Sequence, residues 1–199
     1  MRILGITGGI ATGKSTVTQM LADLGAPTIS ADALAHDLLA PGTLVTRSVL
    51  AAFPGCADPA DLERLTVDRR ALGRLVFAEP AARARLEALT HPAITTALRD
   101  QIALWRASDG ARAAAAEIPL LFEAGLENLV DCIVVVTCSL PVQAARMLAR
   151  GRFSMEEVRC RLAAQWPLAQ KEARADILVT TTDGEEDTRR QVETLWKTL

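Results

Sequence analysis

The chain has 199 residues, half of them hydrophobic, with 22 basic and 24 acidic side chains and a net charge of −2. That balance excludes an intrinsically disordered chain and gives no general attraction to nucleic acid or to a membrane surface, so neither is expected as a partner. No apolar run approaches the roughly 20 residues that a membrane span requires. The basic charge is skewed, with only three lysines (Lys14, Lys171 and Lys197) against 19 arginines, which makes the setting of each lysine informative. Four scattered cysteines (Cys56, Cys132, Cys138 and Cys160) show no C-x-x-C spacing and read as reduced thiols. The N-terminus lacks a long apolar stretch with a cleavage site, so a cytoplasmic protein is expected.

In chain order, apolar runs bounded by turn residues predict strands at Arg2–Thr7, Thr28–Ser30, Ala113–Ile118, Cys132–Thr137 and Ile177–Thr181. The first run meets Gly8-Gly9. A helical pattern then follows, with Val17, Met20, Leu21 and Leu24 on one face and Gly25 as the stop. Strand, glycine turn, helix and strand form a βαβ unit, which implies a parallel α/β sheet with helices on both faces. From Asp32 to Gly110 only helical patterns occur. One of them is expected to open at His91-Pro92 and to align Ile94, Leu98, Ile102 and Trp105. Arg64, Arg69, Arg70 and Arg74 in this stretch read as an exposed helix face, with contact to substrate phosphates as the alternative. After the fourth strand Ser139 and Pro141 start a further helix, and Ser154-x-x-Glu157 is a capping-box pattern that opens another.

Gly8-Gly9-Ile10-Ala11-Thr12-Gly13-Lys14-Ser15 matches G-x-x-x-x-G-K-[ST], and it stands between a strand and a helix, the context the motif requires. Glycines let backbone N–H groups converge on phosphate oxygens, and the helix N-terminus adds unpaired donors and a favourable dipole. Lys14 is suited to the β- and γ-phosphates and the Ser15 hydroxyl to Mg²⁺. A nucleoside triphosphate is therefore the expected ligand. No Asp is followed three places later by Gly, and the single asparagine, Asn128, precedes Leu129, so a GTP-driven switch is disfavoured. Ala113–Ala116 followed by Glu117 is a weak version of the acidic strand end of motor ATPases. Small size and two helical excursions fit a small-molecule kinase, one excursion holding the acceptor and the other closing as a lid. A kinase of another nucleoside or nucleotide, and a nucleotide-binding regulator without turnover, are the competing readings.

Further residues occur in a telling order. They are Asp32-x-x-Ala35-His36, Pro41-Gly42, Val76-Phe77, Leu86-Glu87, His91-Pro92-x-Ile94, Pro119-Leu120-Leu121-Phe122-Glu123, Gln143-x-x-Arg146-x-x-x-Arg150, Gln165, Lys171 and Ala175-Asp176. Over essentially the whole chain this set resembles dephospho-coenzyme A kinase. The resemblance implies transfer of the ATP γ-phosphoryl group to the ribose 3′-hydroxyl of dephospho-CoA. It also implies a P-loop-type five-stranded parallel sheet with helical substrate-binding and lid subdomains. The corresponding boundaries are 1–31, 111–138 and 171–199 for the nucleotide-binding core, 32–110 for the CoA-binding domain and 139–170 for the lid. Three departures stand out: Ala11 where the family usually has a second loop glycine, Ser30 two places before Asp32 in place of a frequent aspartate, and Thr180–Thr182 where an asparagine often follows the last strand.

The expected sites follow. Gly9, Ile10, Ala11, Thr12, Gly13, Lys14, Ser15 and Thr16 bind ATP, together with Arg146 and Arg150, which share a helix face with Gln143. A solvated charged face is the plainer reading of those arginines. Lys14, Arg146 and Asp32 are the catalytic candidates. Asp32 is read as orienting or deprotonating the acceptor hydroxyl, or as a helix N-cap, two roles that can coexist. Asp32, His36, His91, Leu120 and Phe122 are the substrate-binding candidates. Glu117 and Asp32 are further candidates for Mg²⁺ through water, with Ser15 the direct ligand. Lys171 is placed near the nucleotide. The chain is expected to act as a monomer.

Overall fold

The computed structural model describes residues 1–108, 110–149, 158 and 165–199. Its centre is a five-stranded, all-parallel sheet in the order β2-β3-β1-β4-β5. The strands are β1 (Arg2–Gly8), β2 (Thr28–Ser30), β3 (Ala113–Glu117), β4 (Cys132–Thr137) and β5 (Ile177–Thr180). All five lie where the apolar runs predict them. The reason is physical: parallel strands covered on both faces read as continuous apolar stretches, and every residue of β3 is buried, as are six of the seven in β1.

The chain divides into two compact units. The first comprises Met1–Ser30 and Ile102–Leu199 and holds the sheet. Helix α1 (Lys14–Asp23) follows β1, and its Val17, Met20 and Leu21 pack on alternate strand residues, among them Leu4, Ile6, Ala113, Ala115, Val134 and Val136. Leu24 joins the edge of that core, and Gly25, in the left-handed conformation at φ 96°, ends the helix as expected.

The second unit, Ala31–Gln101, contains α2 (Ala31–Leu38), α3 (Leu44–Ala52), α4 (Arg69–Ala78) and most of α5 (Pro80–Ala107). Val49, Phe53, Cys56, Val67, Leu72 and Ala82 form its buried core. The Arg69 guanidinium donates to the carbonyls of His36 (2.9 Å) and Leu39 (3.2 Å), closing the carboxyl end of α2 where those acceptors lack helical partners. Arg69, Arg70 and Arg74 are exposed on α4, as expected. Arg64 is exposed too, but it lies in a separate 3₁₀ turn beside Asp61 rather than on that helix.

The expected helix start at His91-Pro92 is wrong. Pro92 lies inside the 28-residue α5, which opens at Pro80. An interior proline removes one backbone bond and costs about 3 kcal/mol. Packing on both sides of it overrides that cost: Ala82, Leu86 and Leu89 join the helical core before it, and Leu98, Ile102 and Trp105 are buried after it.

In the first unit the chain continues through α6 (Leu140–Ala149), α7 (Leu168–Glu172) and α8 (Glu185–Thr198). Val192 and Leu195 of α8 share the core that α1 covers. The capping-box pattern at Ser154–Glu157, Arg150 and Cys160 fall outside the described residues. Cys56, Cys132 and Cys138 are free and buried. No helix among the described residues is long and apolar enough to cross a membrane.

Candidate active site

The loop between β1 and α1 begins at a glycine that admits no side chain. A Cβ on Gly8, whose φ is 147°, would stand 2.2 Å from the Val136 carbonyl oxygen of the neighbouring strand. Gly8→Ala is expected to cost about 3 kcal/mol or more, the sum of backbone strain and overpacking against an atom that cannot move. A urea unfolding midpoint close to that of the parent chain would refute this. Gly13 caps α1 in the left-handed conformation at φ 94°.

Ala11 also has a positive φ, 57°. This explains the glycine that the family resemblance leads one to expect there, because the left-handed region costs an L-residue roughly 1–2 kcal/mol. In this chain the methyl is nearly buried in a small cluster with Met147 and Val158, flanked by Ile10 and Ala144. Burying one carbon is worth about 0.8 kcal/mol, so the packing offsets much of the strain.

Lys14 is buried, and its Nζ donates to the carbonyl of Gly9 at 2.7 Å, which folds the ammonium back over the loop. The Thr12 hydroxyl donates to the same carbonyl at 2.9 Å. Ser15 and Thr16 on the first turn of α1 are exposed. Ile10 at the loop tip has both backbone groups engaged: its N–H donates to Gln165 Oε1 and its carbonyl accepts from Gln143 Nε2, each at 2.9 Å. Gly9 makes room for this, since a Cβ there would lie 2.5 Å from Gln143 Nε2.

Arg146 is no solvated surface group. Its Nη1 donates to Thr181 Oγ1 at 2.8 Å and lies 3.4 Å from the carbonyls of both Ala11 and Thr12, while Nη2 donates to the Thr181 carbonyl at 2.7 Å. The same Nη1 approaches Cys138 Sγ at 3.8 Å. Burial pushes the Cys138 thiol up, with the guanidinium pulling the other way. The i, i+3 spacing correctly places Gln143 and Arg146 on one face, and that face meets the phosphate loop.

Glu117 is buried at the carboxyl end of β3, in register with Ile6 of β1 and Ser30 of β2. The turn that follows carries Leu120, which is half-buried, and Phe122, which is buried and stacks on Trp166 with centroids 6.1 Å apart and planes 7° from parallel. Lys171 stands at the turn that follows β3. Fully buried, it pairs with Glu123 Oε1 at 2.8 Å and donates to the Pro119 carbonyl at 3.1 Å. Thr7 Oγ1 donates to that same carbonyl, so the pair braces the turn after β3 against the end of β1. Lys171→Met should cost about 3 kcal/mol, because it strands a carboxylate that is mostly out of water. Adding Glu123→Gln should restore part of the loss. A double variant no more stable than Lys171→Met in urea would show that the pair contributes otherwise.

In the second unit, Asp32 is exposed in the first turn of α2, and exposed His36 lies one turn later with Nδ1 3.6 Å from Asp37 Oδ1. Asp32 is the second residue of α2, inside the helix rather than at its cap. His91 is half-buried in the interior of α5. The phosphate-loop residues, Arg146, Glu117, Leu120 and Phe122 thus belong to the first unit, and Asp32, His36 and His91 to the second. Three residues that the sequence does not single out for the site touch the loop or its arginine: Gln143, Gln165 and Thr181. The order of family-like residues includes both glutamines but says nothing of what they bind.

The sheet order matches the chemistry of this loop. β1 stands between β3 and β4, and the chain leaves it toward β2 on one side and reaches β4 and β5 on the other, the arrangement that opens a crevice at the carboxyl ends of the strands. A family model described as dephospho-CoA kinase matches residues 2–187. A curated dephospho-CoA kinase of Geobacter metallireducens is 45% identical over 197 residues, covering 99% of this chain and 96% of that protein. Among solved structures, TT1252 from Thermus thermophilus superposes with a TM-score of 0.81 at 35% identity, over 100% of this chain and 97% of that one. The dephospho-CoA kinase from Campylobacter jejuni does so with a TM-score of 0.69 at 26% identity, over 99% and 96%. A buried phosphate-loop lysine, an arginine on the loop backbone and full-length likeness agree: the chain belongs to the dephospho-CoA kinase family, which uses ATP to phosphorylate the ribose 3′-hydroxyl of dephospho-CoA in the last step of coenzyme A synthesis.

Proposed function

We propose that the loop Gly9–Thr16 binds the ATP phosphates, that Lys14 and Arg146 neutralise charge on the transferring group, and that Asp32 receives the proton of the acceptor hydroxyl. The observation that carries this reading is the attachment of both cations to one loop: Lys14 Nζ on the Gly9 carbonyl, and Arg146 Nη1 against the carbonyls of Ala11 and Thr12. Phosphoryl transfer asks little covalent chemistry of a protein and much positioning and charge stabilisation, and two cations fixed to one backbone supply both.

In the reaction the ribose 3′-oxygen forms a bond to the γ-phosphorus as the bond to the β–γ bridging oxygen breaks. ADP leaves, and the hydroxyl proton passes to the Asp32 carboxylate. Asp32 lies two residues beyond the carboxyl end of β2, the edge of a parallel sheet at which ligands gather. His36 and His91, with Leu120 and Phe122, are assigned to dephospho-CoA binding, residues 32–110 to the CoA-binding domain and 139–170 to the lid. Arg150 is assigned to ATP together with Arg146.

Mg²⁺ fits the donors present. The Ser15 hydroxyl is exposed next to Lys14, and the Glu117 carboxylate ends the strand beside β1, both hard oxygen donors. Among the described residues no group of three or more His, Cys, Asp and Glu side chains is assembled, which suits an ion that keeps its waters and binds chiefly through substrate phosphates. Ser15 would hold it directly and Glu117 and Asp32 through water, and when bound it shields charge on the β- and γ-phosphates. The chain is assigned to the cytoplasm and acts as a monomer.

A coupled assay of ADP release tests the substrate reading, comparing dephospho-CoA with adenosine, AMP and shikimate as acceptors. Turnover is expected with dephospho-CoA; turnover confined to AMP would reject the assignment.

A further inference from the structure

The end of the last strand holds a residue with more connections to the phosphate loop than its sequence context suggests. Thr181 follows β5 and is buried, with 4% of its surface exposed. Its N–H donates to the carbonyl of Thr137 at the end of β4, at 2.9 Å, which fixes its backbone to the sheet. Its hydroxyl lies 2.7 Å from the Thr12 carbonyl and 2.8 Å from Arg146 Nη1, and its own carbonyl takes Arg146 Nη2 at 2.7 Å.

The direction of these bonds is determined. A guanidinium only donates, and a hydroxyl has one proton and two acceptor sites. The Thr181 proton must therefore go to Thr12, while its oxygen accepts from Arg146. The result is a relay from guanidinium to hydroxyl to loop carbonyl, in which each bond polarises the next. The Thr181 methyl completes the arrangement, lying 3.3 Å from the point where a Cβ on Gly13 would stand, over the residue that caps α1.

We propose that Thr181 is a positioning residue for phosphoryl transfer, holding the Arg146 guanidinium in one orientation and locking it to the phosphate loop through Thr12. Two of the guanidinium's hydrogen-bonding edges end on this one residue, on its hydroxyl and its carbonyl. Both terminal guanidinium nitrogens are thus oriented by one residue that is itself fixed to the sheet. A strand end anchored in the sheet is a stiffer support than a lone long side chain, and misplacing a charge by an ångström at such a site costs rate. This inference rests on the proposed role of Arg146 at the ATP phosphates, and the experiment separates the two.

Thr181→Val keeps the shape and removes the relay. It is expected to lower kcat/KM for ATP by roughly 10–100-fold, the range for losing bonds to a charged group, while the KM for dephospho-CoA at saturating ATP stays within about threefold. Thr181→Ser retains the hydroxyl and should recover most of the activity. Thr181→Ala, which adds no bulk to the site, should repeat the valine result if valine disturbs folding. In an Arg146→Ala background Thr181→Val should add less than about threefold, because residues acting through one another are not additive. If Arg146→Ala turns over like the parent, the role of Arg146 fails and the inference fails with it. If Arg146→Ala is impaired but Thr181→Val and Thr181→Ala are not, or if the two losses multiply in the double variant, only the role given to Thr181 is overturned. Equal losses in Thr181→Ser and Thr181→Val would also overturn it, since the hydroxyl would then not be the agent.

Discussion

Replacing Lys14 with methionine lowers kcat by roughly 10²–10³-fold, the loss that follows removal of one preorganised donor to a transition-state charge. The side chain is buried, and its ammonium is already drawn to the loop, 2.7 Å from the Gly9 carbonyl. That carbonyl offsets part of the cost of desolvating the charge. A phosphate oxygen is the stronger acceptor, because the bond then joins two ions. Arginine at this position keeps the charge but should restore less than about a tenth of the lost rate, since a planar fork cannot take the place of a compact ammonium within a closed turn of backbone. Steady-state turnover of Lys14→Met and Lys14→Arg at saturating dephospho-CoA checks both statements. A methionine variant within about threefold of the parent would remove Lys14 from the reaction. The composition lends this weight: where arginine stands at 19 of 22 basic positions, a lysine at Lys14 answers to the geometry of the loop.

The sheet was legible in the sequence because its physics is local. Strands buried on both faces leave uninterrupted apolar runs, and Gly8, Gly13 and Gly25 stand where the backbone takes conformations that side chains resist. Lys14 was legible for the same reason, since the motif is contiguous. Pro92 misled because proline favours the first position of a helix over its interior, whereas the helical core before it and the buried residues after it hold α5 together, and neither set can be read from two adjacent residues. The partner of Lys171 was not legible: its scarcity drew notice to it, but nothing in the sequence links it to Glu123, 48 residues earlier. The placement of Arg146 lay between these cases. Helical spacing aimed it with Gln143 at a common target, but the atoms that hold it belong to Thr181, 35 residues later in the chain. One threonine among Thr180, Thr181 and Thr182 carries no signal until β5 is laid beside β4 and its end meets the loop.

Asp32→Asn should reduce kcat by about 10²–10⁴-fold, the usual contribution of a positioned general base, and leave the dissociation constant for ATP within about threefold. The substitution keeps the size and shape of the side chain and removes its negative charge and its capacity to take a proton. A structural role cannot supply a loss of that size. Asp32 sits within the first turn of α2, where a carboxylate interacting with the helix dipole is worth only about 0.3–1 kcal/mol, less than a tenfold effect on any equilibrium. The neighbouring geometry supports the same view, because Arg69 independently fixes the far end of α2 through the carbonyls of His36 and Leu39. The helix therefore keeps a tie at its carboxyl end when the charge at its amino end is removed. Asp32→Glu retains the base but displaces it by one methylene, and should fall between the parent and the asparagine variant. Single-turnover rates with ATP prebound would isolate the chemical step from product release. An asparagine variant whose single-turnover rate matches the parent would exclude proton transfer to Asp32, while a matched loss in ATP affinity would move the residue from the acceptor side of the reaction to the nucleotide side.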